Sequence, residues 1–387
     1  MKIIYISPGL DNSHSLPFVG VGYYIGEGLK MSGAEVYYLT EGFKPPLTLF
    51  YKGKSFIYKY LIKKKYHRIR EPYIYKKFSE YISNKLMDVE YDVIFCFGTL
   101  PITFLSHNKP KIVWTDASFD GLVDFYSEYK NLCNETLRKG NYLEQKAMDN
   151  SSLLIFSSEW AAETARNSYQ VDTNKVKVCS FGPLVPVHRK LKDIETYISL
   201  RNNSSVQLLF IGGEWDRKNG DLAVKITIEL NRRGIQAKLN IMGTSPGVQS
   251  QYPDYIHEYG FLNKSNEQHK VIIERLFSES HFLLLPTKAD CIPSVILEAY
   301  SYGLPCLTTR VGGIPDVVTD DKNGKLFELT SNENDYADYI QSKMADFKLY
   351  SNLAISSYKN YEEKLSWKVL GARVLKLIEE VVIKEKA

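Results

Sequence analysis

The chain has 387 residues, of which 44% are hydrophobic and 24% charged, and its formal net charge is +4. This length predicts two domains of roughly 150–200 residues, and the composition excludes a disordered or fibrous chain. No apolar run reaches the ~20 residues that span a bilayer, and the five cysteines form no C-x-x-C pair, which argues against a disulfide framework or a zinc site.

The first half of the chain predicts alternating strands and helices. Residues 1–5 are typical of a strand start and not of a signal peptide, and the strand is predicted over 2–7. A loop at 8–22, a helix at 23–32 and a strand at 35–39 complete a βαβ unit, which predicts a parallel sheet. The remaining strands of this half are predicted at 93–97, 111–114, 152–157 and 175–178, with a helix at 159–169.

A basic stretch interrupts this pattern. Residues 52–77 contain ten Lys or Arg residues and one acidic residue, Glu71, so they carry about +9 and leave about −5 for the rest of the chain. Tyrosines and aliphatic residues lie among the cations, which suits the surface of an anionic membrane or a pyrophosphate-bearing lipid acceptor. A solvated helical face is the alternative. Nucleic acid is disfavoured because no nucleic-acid module accompanies the charge.

The second half repeats the alternating pattern. A polar, proline-marked stretch at 183–205 predicts the connection between domains, with a short helix within it. A strand at 206–211, a loop at 212–220 and a helix at 221–233 follow it, and later strands are predicted at 238–242, 281–285 and 305–309. Apolar residues at helical spacing predict a final helix over 366–382. The chain is therefore predicted to contain two doubly wound α/β domains.

Two cations occupy the predicted loop at 212–220. The run FIGGEWDRKNGDLAV places Arg217 and Lys218 between a strand and a helix. A helix N-terminus directs backbone N–H groups and partial positive charge at a bound anion. The two cations therefore predict a diphosphate site, with solvated loop side chains as the alternative.

The most informative stretch is 282–327, which predicts strand, loop, helix, strand and glycine turn in that order. The loop carries Asp290, Ser294 is predicted to cap the helix, Glu298 lies within it, and Gly303 ends it near Tyr302. In an open α/β sheet, ligands bind at the carboxyl ends of the strands, where this loop is expected to lie.

This stretch resembles the donor-sugar site of the retaining glycosyltransferases of family 4, which have the GT-B fold. Their signature is two acidic residues separated by seven others, followed by G-L-P and then G-G-x-P. Asp290 and Glu298 hold the acidic positions here, and residues 303–305 and 312–315 match the two later motifs. The resemblance therefore implies two Rossmann-like doubly wound domains facing across a cleft.

The stretch departs from the family pattern in two places. Asp290 stands where the family usually has glutamate, and Cys291-Ile292-Pro293 stands where it often has G-F-G. Because proline has no N–H, one backbone donor to the sugar is lost. These departures bear on which sugar is bound more than on the fold.

The resemblance also implies roles for individual residues. The W-x-R-K-x-G-D run is similar to the phosphate loop of a bacterial subset of the family, so Arg217 and Lys218 would hold the diphosphate. Glu298 would hold the ribose hydroxyls and Asp290 a sugar hydroxyl. The wider family often has arginine where this chain has Gly213, and Arg217 would supply that charge. The other implied donor-site residues are Gly20, Gly22, Gly213, Phe261, Cys291, Ile292, Pro293 and Ser294.

The first domain carries the acceptor-side candidates. Gly20 and Gly22 precede a predicted helix, and paired glycines let the backbone approach a ligand closely, with a flexible turn as the alternative. Their spacing, G-x-G-x-x-x-G, disfavours a dehydrogenase. Asp116 stands about where many family members have a histidine, which implies contact with a sugar or acceptor hydroxyl, with a structural cap as the alternative. His14 is expected to be a solvated loop residue. The residues expected to act in catalysis are Asp116, Arg217, Lys218 and Asp290.

These expectations define one function and two alternatives. The resemblance implies retaining transfer from a nucleotide-diphosphate sugar, a UDP sugar first and a GDP sugar second, to a hydroxyl of a saccharide or lipid-linked acceptor. It implies no metal and no other cofactor, with the departing phosphate acting as base. A nucleotide-sugar epimerase or hydrolase on the same fold and a non-catalytic nucleotide-sugar-binding protein remain open.

The domains are expected at 1–185 and 206–365, joined by 186–205, with a helix at 366–387 that crosses back to the first domain. The expected location is cytoplasmic, with peripheral contact between residues 52–77 and the membrane. Bacterial surface polysaccharide synthesis is the expected setting.

Overall fold

The computed structural model describes residues 1–6, 20–39, 43–185, 188–201, 205–244 and 252–386. The chain divides into two compact units. The first unit comprises residues 1–181 and 367–387, and the second comprises residues 182–366. The predicted strand end at Ser7, most of the loop predicted at 8–22, and His14 within it lie outside the described residues.

The first unit contains a six-stranded sheet in the order β2-β1-β3-β4-β5-β6, in which every neighbouring pair is parallel. The chain runs from β1 outward to β2 and then returns to build the other side of the sheet from β3, so the order reverses between β1 and β3. The strands are β1 Lys2–Ile6, β2 Glu35–Tyr38, β3 Val93–Phe97, β4 Lys111–Thr115, β5 Leu153–Phe156 and β6 Val176–Val178.

Among the described residues, six α-helices of the first unit come before the second unit in sequence. They are α1 Val21–Met31, α2 Thr48–Ile57, α3 Pro72–Leu86, α4 Phe119–Leu122, α5 Asn134–Asn150 and α6 Glu159–Ser168. The central strands carry continuous apolar runs whose side chains are buried on both faces, as parallel strands covered by helices require. Trp114 and Phe95 are fully buried in this core.

The second unit contains another six-stranded parallel sheet, in the order β12-β11-β10-β7-β8-β9. Its order reverses between β7 and β10, which lie side by side. The strands are β7 Val206–Gly212, β8 Ala237–Gly243, β9 Ile256–Gly260, β10 Phe282–Leu285, β11 Cys306–Thr309 and β12 Gly324–Phe327. The helices are α7 Leu191–Leu200, α8 Trp215–Lys218, α9 Gly220–Arg232, α10 Glu267–Glu279, α11 Ser294–Tyr300, α12 Glu333–Met344 and α13 Phe347–Asn360.

The last helix, α14 Trp367–Lys386, belongs to the first unit. Its buried residues Leu370, Val374 and Ile378 join the core that includes Ile25 and Leu29 of α1. The two helices approach closely at a glycine, because a Cβ at Gly371 would lie 2.0 Å from the carbonyl oxygen of Gly28. Small residues therefore permit this packing, and the first unit contains both ends of the described chain.

The structure confirms two doubly wound α/β units and corrects several local predictions. The predicted loop at 212–220 contains the short helix α8, and two strands, β9 and β12, were not predicted. Ser294 does not cap α11, because the helix begins at Ser294 and Pro293 occupies the N-cap position. The short helix predicted within the interdomain connection is confirmed as α7, and its Ile194 and Ile198 are buried in the second unit.

The basic stretch at 52–77 is divided rather than forming one surface. Helix α2 continues through a π-helical turn at Tyr58–Ile62, and this part is largely exposed. The remainder folds into the first unit, where Tyr66, Arg70 and Tyr75 are buried. Only the first part of the stretch is therefore available as an apolar surface.

A buried arginine fixes the ends of two helices in the second unit. Arg201 is fully buried, and its guanidinium donates to the carbonyl oxygens of Phe277 and Ser278 at the end of α10. It also donates to the carbonyl oxygens of Tyr302 and Gly303, just beyond α11. The cation therefore satisfies helix-end carbonyls that would otherwise be buried without partners.

We expect Arg201→Met to lower the free energy of unfolding by about 3 kcal/mol or more, because it leaves buried carbonyl groups unsatisfied. In a unit of this size the thermal midpoint would fall by roughly 6–12 °C. Arg232→Met is the matched control, since the Arg232 side chain is 70% exposed. Equal midpoints for the two variants would contradict the anchoring role of Arg201.

Candidate functional site

The candidate site lies at the carboxyl ends of β7 and β10, the neighbouring strands between which the order of the second sheet reverses. In open parallel sheets this position leaves a crevice, because successive connections leave to opposite faces. The segment after β7 carries Arg217 and Lys218, and the segment after β10 carries Asp290. The fold thus places on adjacent strands two motifs that are more than seventy residues apart in sequence.

Helix α8 gives Arg217 and Lys218 a fixed backbone. The Lys218 N–H donates to the carbonyl oxygen of Glu214, and Asn219 then adopts a left-handed conformation with φ of 58° before α9 begins. Trp215 anchors the turn by packing against Gly220, where a Cβ would lie 2.4 Å from the indole ring. The two cations therefore project from a short pinned helix and not from an open loop.

Asp290 joins the two segments. One of its carboxylate oxygens accepts from Arg217 Nη1 at 2.8 Å. The other accepts from Lys218 Nζ at 2.8 Å and from Thr287 Oγ1 at 2.7 Å. Backbone bonds reinforce the junction, because Arg217 Nη1 donates to Ala289 O and the Lys288 N–H donates to Arg217 O. Arg217 also pairs with Glu214, whose side chain is 45% exposed. The buried part of the cluster, in which two cations share the Asp290 carboxylate, therefore carries a net positive charge.

Burial sets the electrostatics of this cluster. Lys218 and Asp290 are buried, and Arg217 is largely so. Burial lowers the pKa of Lys218, and the Asp290 carboxylate acts against that shift. Burial also acts to lower the pKa of Arg217, but the ion pair with Asp290 leaves it raised. An additional anion would offset the excess positive charge, so the cluster favours anion binding.

Glu298 forms the second polar element of the site. It is fully buried on α11, and its Oε1 accepts from Lys264 Nζ at 2.6 Å. Its Oε2 is buried and has no hydrogen-bond partner among the described residues. A buried carboxylate oxygen without a donor is costly, so this atom is available to a ligand hydroxyl.

The other predicted donor-site residues of the second unit differ in how far they are exposed to solvent. Cys291 and Pro293 are buried, whereas Ile292 and Ser294 are half-buried at the start of α11. Gly213 is exposed directly after β7, and Phe261 is 80% exposed directly after β9. Like Asp290, both Gly213 and Phe261 therefore follow the carboxyl ends of strands of the second sheet.

The predicted residues of the first unit occupy the corresponding edge of the first sheet. Gly20 is exposed at the N-cap of α1, and Gly22 lies in the first turn of that helix. Asp116 follows β4 and is half-buried, and its Oδ1 accepts from Ser157 Oγ at 2.9 Å. The N-cap of α4 is Ser118, two residues further along the chain.

Two residues of the site were missed in the sequence. Lys264 pairs with Glu298 across 34 positions, and no local pattern distinguishes it from other exposed lysines. Thr287 lies three positions before Asp290, and its hydroxyl orients the carboxylate. Its place directly beyond a predicted strand was the only available signal.

The two parallel sheets, with a cationic cluster where the second one reverses, define the chain as an α/β protein of the GT-B class. A solved structure of the Anabaena protein HepE in complex with UDP matches it with a TM-score of 0.66 and 13% identity, covering 98% of this chain and 100% of that one. Residues 205–346 match the family described as Glycosyl transferases group 1. This match covers most of the second unit, and it likens that part of the chain to group 1 glycosyltransferases.

Relatives in sequence agree with this assignment. The D-inositol 3-phosphate glycosyltransferase of Paenarthrobacter aurescens (strain TC1) is 22% identical over 62% of this chain and 60% of its own length. The N-acetyl-alpha-D-glucosaminyl L-malate synthase of Bacillus anthracis is 31% identical over 35% of this chain and 36% of its own length. The chain thus spans less than two thirds of the length of these relatives.

We expect Asp290→Asn to lower the free energy of unfolding by about 3–5 kcal/mol near neutral pH, because it leaves two buried cations without their carboxylate. The pKa of Lys218 would then fall further below its ordinary value. A lysine whose folded pKa is lowered binds fewer protons when folded, so the stability of this variant should recover as the pH rises through the folded pKa.

Thermal midpoints measured between about pH 6 and pH 10 would reveal this recovery. The double variant Asp290→Asn/Lys218→Met is the control, since it lacks the titrating group and should show no comparable recovery. A recovery of equal size in both variants would exclude Lys218 as its origin.

Proposed function

We propose that the chain is a glycosyltransferase that binds a nucleotide-diphosphate sugar in its second unit and transfers the sugar to a hydroxyl group. The observation that carries this proposal is the cluster of Arg217, Lys218 and Asp290 at the reversal point of the second sheet. The buried Oε2 of Glu298, which has no hydrogen-bond partner among the described residues, supports the proposal because it could accept from a ligand hydroxyl. The family match covers both features.

The chemistry of the cluster suits a leaving diphosphate. When the bond between the sugar and the β-phosphate breaks, negative charge grows on the phosphate oxygens. Arg217 and Lys218 are already oriented by Asp290 and by the pinned α8, so they can stabilise that charge without reorganising. Because side chains supply this positive charge, we propose that transfer requires neither a metal ion nor another cofactor.

Asp290 has a different role in this proposal from the one that the resemblance implies. Its two oxygens already accept three side-chain hydrogen bonds, two of them from the cations. We therefore assign it to positioning Arg217 and Lys218, with any contact to a sugar hydroxyl as a secondary one. The aspartate side chain is one methylene shorter than glutamate, and its carboxylate is already bound to Thr287 of its own loop and to the two cations.

Glu298 is assigned to the ribose of the nucleotide. Its Oε1 is fixed by Lys264, which leaves Oε2 to accept from a ribose hydroxyl. The structure of HepE in complex with UDP supports a uridine nucleotide as the first candidate, with a guanosine nucleotide second. Comparison of UDP, GDP and ADP binding would distinguish the nucleotide bases.

The proposal extends to the stereochemistry of transfer, the acceptor and the location of the protein. We propose family 4 chemistry with retention at the anomeric carbon, in which the acceptor hydroxyl attacks from the side that the diphosphate leaves and the phosphate takes the proton. The acceptor is proposed to be a saccharide or a lipid-linked saccharide in bacterial surface polysaccharide synthesis. Asp116, with Gly20 and Gly22, is assigned to the acceptor side. The location is proposed to be cytoplasmic and peripheral to the membrane.

We expect Lys218→Met to reduce the turnover number for sugar transfer by ~10²–10³, because one preorganised donor to the developing charge is lost. UDP at about 100 times its dissociation constant would stabilise the wild type by about 2.7 kcal/mol, and the variant would lose much of this shift. UDP, GDP and ADP, each tested without added metal, would identify the base.

Lys225→Met is the matched control, since Lys225 is exposed on α9. Full transfer activity in Lys218→Met would overturn the assigned role. Turnover of the donor that is equally fast without an acceptor would favour the hydrolase or epimerase. Nucleotide binding without any turnover would favour the binding protein.

We expect Glu298→Gln to weaken binding of the nucleotide by roughly ten-fold or more, because the site loses a charged acceptor for the ribose hydroxyls. Titration calorimetry with UDP and with 2′,3′-dideoxy-UDP provides the measurement. The wild type should prefer UDP strongly, whereas the variant should distinguish the two ligands much less. Glu267→Gln, at an exposed position on α10, should behave as the wild type. An unchanged preference in Glu298→Gln would contradict the ribose contact.

A further inference from the structure

Helix α2 and the π-helical turn that continues it display an apolar surface to solvent. Leu49 and Leu61 are 83% and 78% exposed, and their neighbours on the same side are exposed by about half or more. We call this surface the apolar helix face; its members are Leu49, Phe50, Phe56, Ile57, Tyr60 and Leu61. Seven-residue spacings relate Leu49 to Phe56 and Phe50 to Ile57, so these side chains form a continuous stripe.

The opposite side of the same helix is attached to the first unit by polar contacts. Tyr51 is buried, and Lys54 and Tyr58 both donate to the carboxylate of Glu135 on α5. The Tyr58 ring also stacks on Tyr66, with ring centroids 5.2 Å apart. The helix is therefore held on one side by a cluster of tyrosines and by these polar contacts, while a second apolar side faces solvent.

Cations border the apolar helix face. Lys52, Lys59, Lys63 and Lys64 are exposed on or directly after the helix. No acidic residue occurs between positions 43 and 70. The first one that follows, Glu71, is buried and paired with Lys139. The surface thus combines exposed apolar side chains with positive charge, and residues 43–70 contain no carboxylate to offset that charge.

We propose that the apolar helix face docks on an anionic lipid bilayer. The helix would lie in the plane of the interface, with its leucine and phenylalanine side chains among the acyl chains and its lysines at the lipid phosphates. Among the residues that the structure describes, no helix is long and apolar enough to cross a membrane, and this one would lie along the surface. The proposal narrows the membrane contact expected at 52–77 to the region of α2 and the turn at Tyr58–Ile62.

The charge favours lipid over a second copy of this chain. A two-fold contact through the apolar helix face would place the same lysine-bordered surface on both sides of the interface. Lysines 52, 59, 63 and 64 of one copy would then approach those of the other, without carboxylates to neutralise them. An anionic bilayer instead offers both an apolar phase and opposite charge.

This inference deepens the peripheral location in the proposed function, but its test does not require transfer activity. Flotation with vesicles of phosphatidylcholine alone, and of phosphatidylcholine with about 30% phosphatidylglycerol, would measure binding of the full chain. We expect binding to the anionic vesicles only, with weakening at high salt. The double variant Leu49→Ser/Leu61→Ser should lose binding by at least ten-fold, because it removes the two most exposed members of the face.

A second variant measures the contribution of positive charge to vesicle binding separately from that of apolar burial. Lys52→Gln/Lys59→Gln should also weaken binding by roughly ten-fold or more, since each lysine near an anionic surface contributes. The control is Val271→Ser, which removes an exposed apolar side chain from α10 of the second unit and should change nothing. Thermal midpoints and UDP binding of all variants should match the wild type, because none of these residues belongs to the proposed nucleotide site.

Three outcomes would overturn the proposal. The first is absence of vesicle binding by the wild type, and the second is undiminished binding by Leu49→Ser/Leu61→Ser. The third is self-association of the wild type in sedimentation experiments that disappears in that variant, without vesicle binding, which would assign the apolar helix face to contact between copies. A failure of this test would leave nucleotide binding intact, and loss of nucleotide binding would leave vesicle binding intact.

Discussion

The carboxylate of Asp290 is the contact on which the site of the second unit depends. It joins the segments that follow two neighbouring strands, and it does so by binding two cations whose combined charge it only half neutralises. The short helix α8, the Trp215 anchor and the backbone bonds between the segments all keep this arrangement in one geometry. Cationic side chains that are already held by hydrogen bonds lose little free energy to ordering when a ligand binds.

Helix α11 links this cluster to the rest of the second unit. It begins immediately after the Asp290 segment, carries the buried Glu298, and ends where Arg201 satisfies the carbonyl groups of Tyr302 and Gly303. A buried cation therefore fixes the end of the helix that presents a buried anion. Arg201 is placed by backbone carbonyl groups, whereas Glu298 is paired with Lys264, whose side chain is 34% exposed.

The sequence predicted the architecture well because parallel strands buried on both faces are continuous apolar runs, and helices between them have a different period. Arg217 and Lys218 were predicted from their place between a strand and a helix, and Asp290 and Glu298 from the resemblance to a family motif; the structure brings the first three into contact. It could not identify Lys264, because its ion pair with Glu298 depends on a tertiary contact. Helix α8 was missed because four residues are too few for a periodic signal.

The orientation of α2 shows a further limit of sequence analysis. Hydrophobic periodicity identifies the apolar side of a helix but does not say whether that side faces the core or solvent. Here Glu135 binds one side of the helix through Lys54 and Tyr58, and Tyr51 of that side is buried in a cluster with residues distant in sequence. The basic stretch was therefore recognised, but its division into an exposed helix and a folded remainder was not.

The return of α14 to the first unit has a consequence for how the protein is made. Residues 182–366 form a unit whose core is complete before α14 has been synthesised, whereas the first unit lacks the partner of α1 until residues 367–386 have left the ribosome. The unit that is translated second can therefore fold first. Before α14 packs on it, the apolar side of α1 around Ile25 and Leu29 is accessible to chaperones. Degradation that starts at the carboxyl terminus would remove α14 first, and it would therefore damage the first unit before it reached the second unit.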